Sequence, residues 1–432
     1  MGVTDGARAR SVSGPDLPVE GERPRRRGRW ALLIGPGLMV MLADTDAGSI
    51  ITAAQSGASW GYRLVVCQLL LVPVLYVVQE TTVRLGIVTG EGHGALIRQH
   101  FGRGWALLSA LTLVAACVGA LISEFAGIAG VGSLVGLPRP VSVGVTAAGL
   151  VTLLVASRYQ RVERVGIAVG SLEVLFVPAA VLARPRIGEL AAGLAHPLVW
   201  QQSYLVLLAA NVGAVIMPWM VFYQQEAVID KGLRQLPTRV ALRAARVDTA
   251  VGSLLTQLIM AAVLITTAAT VGRAHPGVPL GTVGDIADAL TPFLGRTAAV
   301  ALFGLGLVGA GVVAALVVTC AGAWGLAEVL GWRHSLNESP RGARAFYAVA
   351  AGGLCAGALA VLVAPSLVDL AVDVEVMNAC LLPVVLGFLL ALERRALPHH
   401  LRARGAHRAV TYLLTGVVIG LGLYVAATIL LA

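Results

Sequence analysis

The sequence predicts an all-α polytopic membrane protein with eleven spans, the first and sixth of them broken. Three observations carry this reading. Of 432 residues, 57% are hydrophobic and 13% charged; that is about half the charged share of a soluble domain, so the surface must be solvated largely by lipid and a soluble enzyme is excluded. Apolar stretches recur from Trp30 onward at the length of about 20 residues that a helix needs to cross the hydrocarbon. The basic residues also fall on alternate loops.

Residues 1–29 hold seven arginines among Pro, Gly and Ser with no apolar run, and read as a disordered basic cytoplasmic tail. A secretory signal is the rival, but its charged region would be unusually long and no convincing small-residue cleavage site follows. Residues 30–432 read as one membrane domain. Its spans fall at about 31–58 (interrupted), 62–83, 105–134, 140–157, 165–183, 203–228 (interrupted), 247–271, 295–330, 345–364, 371–392 and 410–431. With the tail in the cytoplasm, 26 of the 32 Lys and Arg residues lie on its side, and only Arg63, Arg139, Arg184, Arg186, Arg273 and Arg296 on the other. This is the positive-inside asymmetry, and a wrong helix count would scramble it from the error onward. It predicts a multi-pass protein of the cell (plasma or inner) membrane, N-terminus cytoplasmic and C-terminus outside. The net charge of +9 is therefore topological and does not point to nucleic acid.

All eight histidines fall in loops or at span ends, which places no His-based metal site in the membrane. The five cysteines lie singly in apolar spans without a CxxC pair and read as packing residues. No catalytic dyad or cofactor motif occurs in the spans, so neither an enzyme nor a resident cofactor is expected.

Ionisable residues and helix breaks inside a span cost several kcal/mol unless a partner or a wet cavity compensates, and so mark functional candidates. Four regions stand out. Ala43-Asp44-Thr45-Asp46-Ala47-Gly48-Ser49 interrupts the first span, and an unwound stretch at Asp46 to Gly48 would free backbone carbonyls beside a carboxylate; the alternative places both aspartates at a helix end near water. Asn211 to Trp219 contains Pro218, which cannot donate to the carbonyl of Ala214 and leaves it free for a ligand; a plain proline kink is the alternative. Asp373, Glu375, Asn378 and Pro383 occupy the tenth span, Asp373 near its outer end and Glu375 deeper. Glu124 in the third span and Glu173 in the fifth are lone acids, each either a satisfied structural carboxylate or part of an ion path. Broken first and sixth spans imply two five-helix halves of opposite orientation, about 30–184 and 203–392, with an extra helix at 410–431.

At these residues the chain resembles the Nramp divalent-metal transporters. Gly35-Pro36-Gly37 with Asp46-Ala47-Gly48-Ser49 and Gln55-Ser56-Gly57-Ala58 resembles their first helix, whose signature is Asp-Pro-Gly-Asn. Gln79-Glu80 with Arg84 to Gly90 resembles the end of the second, and Gly213-Ala214-Val215-Ile216-Met217-Pro218 the sixth. The likeness runs in register from about residue 30 to 430. It implies a LeuT-type fold carrying Mn²⁺, Fe²⁺ or similar ions inward, with Asp46 as the metal carboxylate, Ser49 in place of the family's Asn, the carbonyl of Ala214, the thioether of Met217, and Glu375 where the family usually has Gln. Glu124 matches the family's third-helix acid for proton movement.

The departures matter equally. Trp219 stands where the family has His, and Leu121 where an Asp would precede Glu124 by one turn, so two groups associated with proton transfer are missing. These changes, with the added carboxylates of Asp44 and Glu375, resemble the Nramp-related magnesium transporters, although that branch tends to lose the sixth-helix methionine and Met217 is present. A thioether penalises hard ions relative to Mn²⁺ or Fe²⁺, whereas extra carboxylates suit Mg²⁺, which keeps several waters. Mn²⁺ is the expected cargo and Mg²⁺ the alternative, taken up by alternating access through a vestibule lined by Asp44 and Glu375, with weak or absent proton coupling. An amino-acid or amine transporter on the same fold is opposed by the acids, which repel a carboxylate substrate. A non-transporting receptor would be expected to add a large soluble signalling domain.

Overall fold

The computed structural model describes residues 36–156, 168, 171–288, 290–332 and 339–431, and among these all regular structure is helical. The first predicted span is two helices, α1 (Pro36–Asp44) and α2 (Ala47–Trp60). They lead into α3 (Val65–Thr89), the short α4 (His93–Phe101), α5 (Arg103–Leu134) and α6 (Arg139–Ala156). The tail at 1–29 and most of 157–170 lie outside the described residues, so of the fifth span only the turn Ser171–Leu175 and α7 (Phe176–Leu182) are described. After α8 (Ile187–Ala195) the sixth span is again two helices, α9 (Gln202–Val215) and α10 (Pro218–Asp230). Then come α11 (Thr238–Ala269), α12 (Arg296–Leu330), α13 (Arg344–Val363), α14 (Leu367–Arg395) and α15 (Gly405–Leu431).

Eight of these runs, α9 with α10 counted as one, are individually long and apolar enough to cross a membrane. The shorter ones include the halves of the first span, which reach spanning length only together. Where helices overrun the predicted spans, charge had hidden them. α11 starts at Thr238, not 247, because its first turns carry Arg239, Arg243 and Arg246. α3 runs on to Thr89 because Arg84 stays buried between Glu80 (3.3 Å) and Glu393 of α14 (3.5 Å).

The long α5 is the hub: it packs against α12, α13 and α14, while α11 packs against α1, α2 and α3, and α9 lies on α14. Small residues permit these approaches, as in other membrane bundles. A Cβ on Gly311 of α12 would stand 3.1 Å from the Ile128 side chain and 3.3 Å from Glu124 Oε2 of α5.

Loops given to one side by their charge do meet at one end of the bundle. Arg246 pairs with Glu80 at 2.8 Å, Arg84 donates to the carbonyl of Leu401 at 2.7 Å, and the amide of Gly94 donates to Glu328 Oε2 at 2.8 Å. In this layer His93 is buried against Phe222 and Gln225, and desolvation brings its imidazole down to about 4. At the opposite end Arg139 donates to the carbonyl of Ala364 (2.7 Å), Arg273 pairs with Glu189 (3.3 Å), and Leu280 N–H donates to Gln55 Oε1 (2.9 Å).

Candidate metal site

The break in the first span is two residues, Thr45 and Asp46, rather than the expected Asp46 to Gly48. The helix restarts at Ala47 because its free N–H groups find carboxylates at once. Asp46 is the N-cap of α2 and accepts the Ser49 N–H at 2.6 Å, while Glu124 of α5 accepts the Ala47 N–H at 3.1 Å. Two acids thus sit at the positive end of α2, where the helix dipole favours them.

Gly48 is needed for proximity, not unwinding. A Cβ there would run into Ser123 Oγ and Glu375 Oε1, so glycine lets α2 lie against α5 and α14 with both of those side chains in place. Gly213 of α9 does the same on the other side, where a Cβ would strike the carbonyl of Glu375 and stand 2.7 Å from Ala379 N.

The second break, Ile216 and Met217, separates α9 from α10, with Pro218 as the first residue of α10. The proline leaves the carbonyl of Ala214 without its helical donor, as the sequence implied. That carbonyl instead accepts the hydroxyl of Ser49 at 2.9 Å, which joins the two breaks directly. The C-terminal ends of α1 and α9, partially negative, both finish here.

Asp44, Asp46, Glu124 and Glu375 form one electrostatic cluster and are fully buried. Both oxygens of Asp44, Asp46 Oδ2, Glu124 Oε1 and Glu375 Oε1 have no hydrogen-bond partner, and none of the four acids is in a salt bridge. Glu375 Oε2 accepts from Asn378 Nδ2 at 2.9 Å. Asp46 and Glu124 accept neighbouring N–H groups of the same helix start, those of Ser49 and Ala47. Buried acids without counter-charge require protons or cations.

Of the residues singled out from sequence, the structure brings together Asp46, Ser49, Ala214, Glu124 and Glu375, with Asp44 beside them. Met217 caps α10 three residues past Ala214, and its sulfur accepts the indole N–H of Trp219 at 3.0 Å. Asp373 is exposed, and Glu173 belongs to the turn Ser171–Leu175. No group of three or more His, Cys, Asp or Glu side chains among the described residues is arranged to hold a metal; the donors gathered here are mixed carboxylate, hydroxyl and carbonyl.

Ser123 and Asp248 are not among the residues singled out from sequence, and Asn211 is there only as the start of the sixth-span motif. Ser123, beside Glu124, abuts Gly48. Asp248 of α11 accepts the N–H of Gly37 at 2.8 Å and so holds the start of α1. Asn211 links α9 to Gln68 of α3 and Ser56 of α2, each at 2.7 Å. Their signal was the one used elsewhere, polar groups inside apolar runs. Asp248 stands at the expected membrane boundary, where an acid alone is no signal.

A cavity of about 600 Å³ opens at the end holding Leu280, lined by Thr270, Arg273, Asp285 and Asp288 among others, and none of the four acids lines it. The site is enclosed in this conformation.

The sequence profile of Nramp, natural resistance-associated macrophage protein-like, matches residues 37–428. Among curated relatives, the divalent metal cation transporter MntH of Pectobacterium carotovorum is 30% identical over 304 residues, covering 67% of this chain and 70% of that one. The corresponding MntH 1 of Pseudomonas aeruginosa is 31% identical over 311 residues, covering 68% and 69%. Among solved structures, the manganese transporter of Eremococcus coleocola superposes with a TM-score of 0.75 at 19% identity, covering 94% of this chain and 88% of that one. MHP1, a nucleobase-cation-symport-1 family transporter, superposes at 0.61 with 14% identity, covering 92% and 90%. The fold is therefore the LeuT-type inverted five-helix repeat plus an eleventh helix, and this multi-pass membrane protein belongs to the Nramp family.

Proposed function

We propose that the chain imports divalent metal ions, Mn²⁺ foremost, by alternating access at the crossing of its two broken helices. One observation carries this: four buried carboxyls whose free oxygens have no protein partner, placed where α1 and α9 end and α2 begins. In the proposed site Asp46 supplies the principal carboxylate, Ser49 and the Ala214 carbonyl supply neutral oxygens, Glu375 a second carboxylate, and Met217 borders them. The relatives named as divalent metal cation transporters and the superposable manganese transporter support the cargo class.

In this reading the N-terminus is cytoplasmic, and the ion leaves when α1 swings away from α10 and α11. Uptake runs on the membrane potential, worth about 4.6 kcal/mol for a divalent ion at 100 mV. Proton symport is not required, and Leu121 and Trp219, both buried, have no titratable group to relay a proton. The test is uptake of Mn²⁺ into vesicles with Mg²⁺ as competitor and a pH dye inside. Metal uptake without acidification is expected; metal-driven acidification abolished by Glu124→Gln would contradict the uncoupled scheme.

Mg²⁺ stands as the second reading on one observation, the engagement of the Met217 sulfur by Trp219, which leaves an oxygen-dominated set that suits hard cations.

A further inference from the structure

The sulfurs next to the helix breaks are all engaged by the protein. Trp219 Nε1–H donates to Met217 Sδ at 3.0 Å, Tyr223 O–H to Met39 Sδ at 3.2 Å, Ser253 O–H to Met41 Sδ at 3.8 Å, and the Met217 N–H to Met220 Sδ at 3.4 Å. All four methionines are fully buried, as is Trp219. Three of these contacts bind sulfurs that lie within the packing of α1, α10 and α11. The fourth concerns the one thioether at the break itself.

A sulfur that accepts an N–H commits one lone pair to it, is a poorer donor through the other, and is held in the rotamer that the contact fixes. The partner's chemistry reinforces this. Indole nitrogen is a donor only, so it cannot exchange roles with the sulfur or take a proton and move away. Trp219 is also fixed in place, two residues along the same helix start and closed in on every side.

From this geometry we infer that Trp219 determines the ion selectivity of the chain as a positioning residue: by holding the Met217 sulfur it withdraws the soft ligand from the metal site. The ion is then met by oxygens from Asp46, Ser49, Ala214 and Glu375. Mn²⁺ and Mg²⁺ both accept such a shell, while a soft ion such as Cd²⁺ gains nothing from it. The inference rests on the proposed metal site and deepens it, since it states what class of ion that site prefers.

The test uses the full chain in vesicles. Inhibition of Mn²⁺ uptake by Cd²⁺ and by Mg²⁺ gives a Cd²⁺-over-Mg²⁺ ratio for the parent protein, Trp219→Phe, Met217→Ala and the double variant. Phenylalanine keeps an aromatic ring and removes the donor. Trp219→Phe should raise the ratio about tenfold, Met217→Ala should leave it within about twofold, and the double variant should lose the gain. A ratio that falls about tenfold in Met217→Ala alone, or one unmoved by Trp219→Phe, overturns the inference. X-ray absorption of the Cd²⁺-loaded parent protein reads the same point without any variant: an oxygen shell is expected, and a sulfur at bonding distance refutes it. Asp46→Asn separates the two levels. If it still binds and transports, the site assignment fails; if it is inactive while the ratios do not move, only the role of Trp219 fails.

Discussion

Asp248→Ala should loosen α1, the first half of the broken first span. Asp248 Oδ2 accepts the Gly37 N–H at 2.8 Å, near the start of α1, and it is 4% exposed. It is the anionic member of a set that ties α1 to α11, with the Thr256 hydroxyl on the carbonyl of Met41 and the Ser253 hydroxyl on Met41 Sδ. A hydrogen bond to a charged acceptor is worth about 1.5–3 kcal/mol, and the favourable position at the start of a helix adds to it. At 298 K that loss multiplies the population with α1 released by about 10- to 150-fold. Asp248→Asn keeps an acceptor oxygen and should fall between. The assay is the rate at which a membrane-impermeant thiol reagent, applied from the side of the basic tail, labels a cysteine placed at Ala43, which is fully buried here. The other cysteines are removed first. Labelling as slow in Asp248→Ala as in the parent, with Asp248→Asn no different, would refute the latch.

Three other perturbations have defined outcomes. Gly48→Ala drives a methyl group into Ser123 Oγ and Glu375 Oε1; overpacking of about 1–3 kcal/mol should cut Mn²⁺ uptake tenfold or more while gel filtration of the detergent-solubilised protein stays unchanged. Asn211→Leu removes three 2.7 Å bonds, to Gln68, Ser56 and the carbonyl of Leu207, and strands buried polar atoms at a cost of about 2–4 kcal/mol, read as a lower melting temperature. His93, held down to about 4 from 6.5 by burial, binds its proton more readily in the unfolded chain. Its contribution is therefore intact above pH 6.5 and is lost as pH falls toward 4, by roughly 3 kcal/mol at about 1.4 per pH unit. His93→Gln should flatten the fall of melting temperature over that interval, and an equal slope in both proteins would exclude this role.

Much of the architecture was legible because lipid makes rules strict. A charge-poor chain with basic residues on alternate loops has few ways to cross a membrane, and Pro218 alone located both the second break and the freed carbonyl of Ala214. What escaped was set by tertiary contact. The first break ends two residues earlier than its glycine suggests because Glu124, 77 positions away, receives the Ala47 N–H. Nothing local to Gly48 reveals that its neighbours are Ser123 and Glu375. Met217 was readable as a thioether but not as one already holding an indole N–H, since a hydrogen bond between buried side chains depends on rotamers that only packing fixes. Arg84 and Arg246 read as loop charges on the inner side, whereas the structure buries Arg84 between Glu80 and Glu393 and pairs the half-exposed Arg246 with the buried Glu80, so that two helices continue past the expected boundary.

In the proposed mechanism Asp46, between α1 and α2, holds a divalent ion during transport. This role is tested most directly by Mn²⁺ uptake into vesicles carrying the parent protein or Asp46→Asn, under an inside-negative potential. Saturable, potential-driven uptake is expected in the parent and should vanish in the variant although the protein is present and folded. Undiminished uptake by Asp46→Asn would contradict that role.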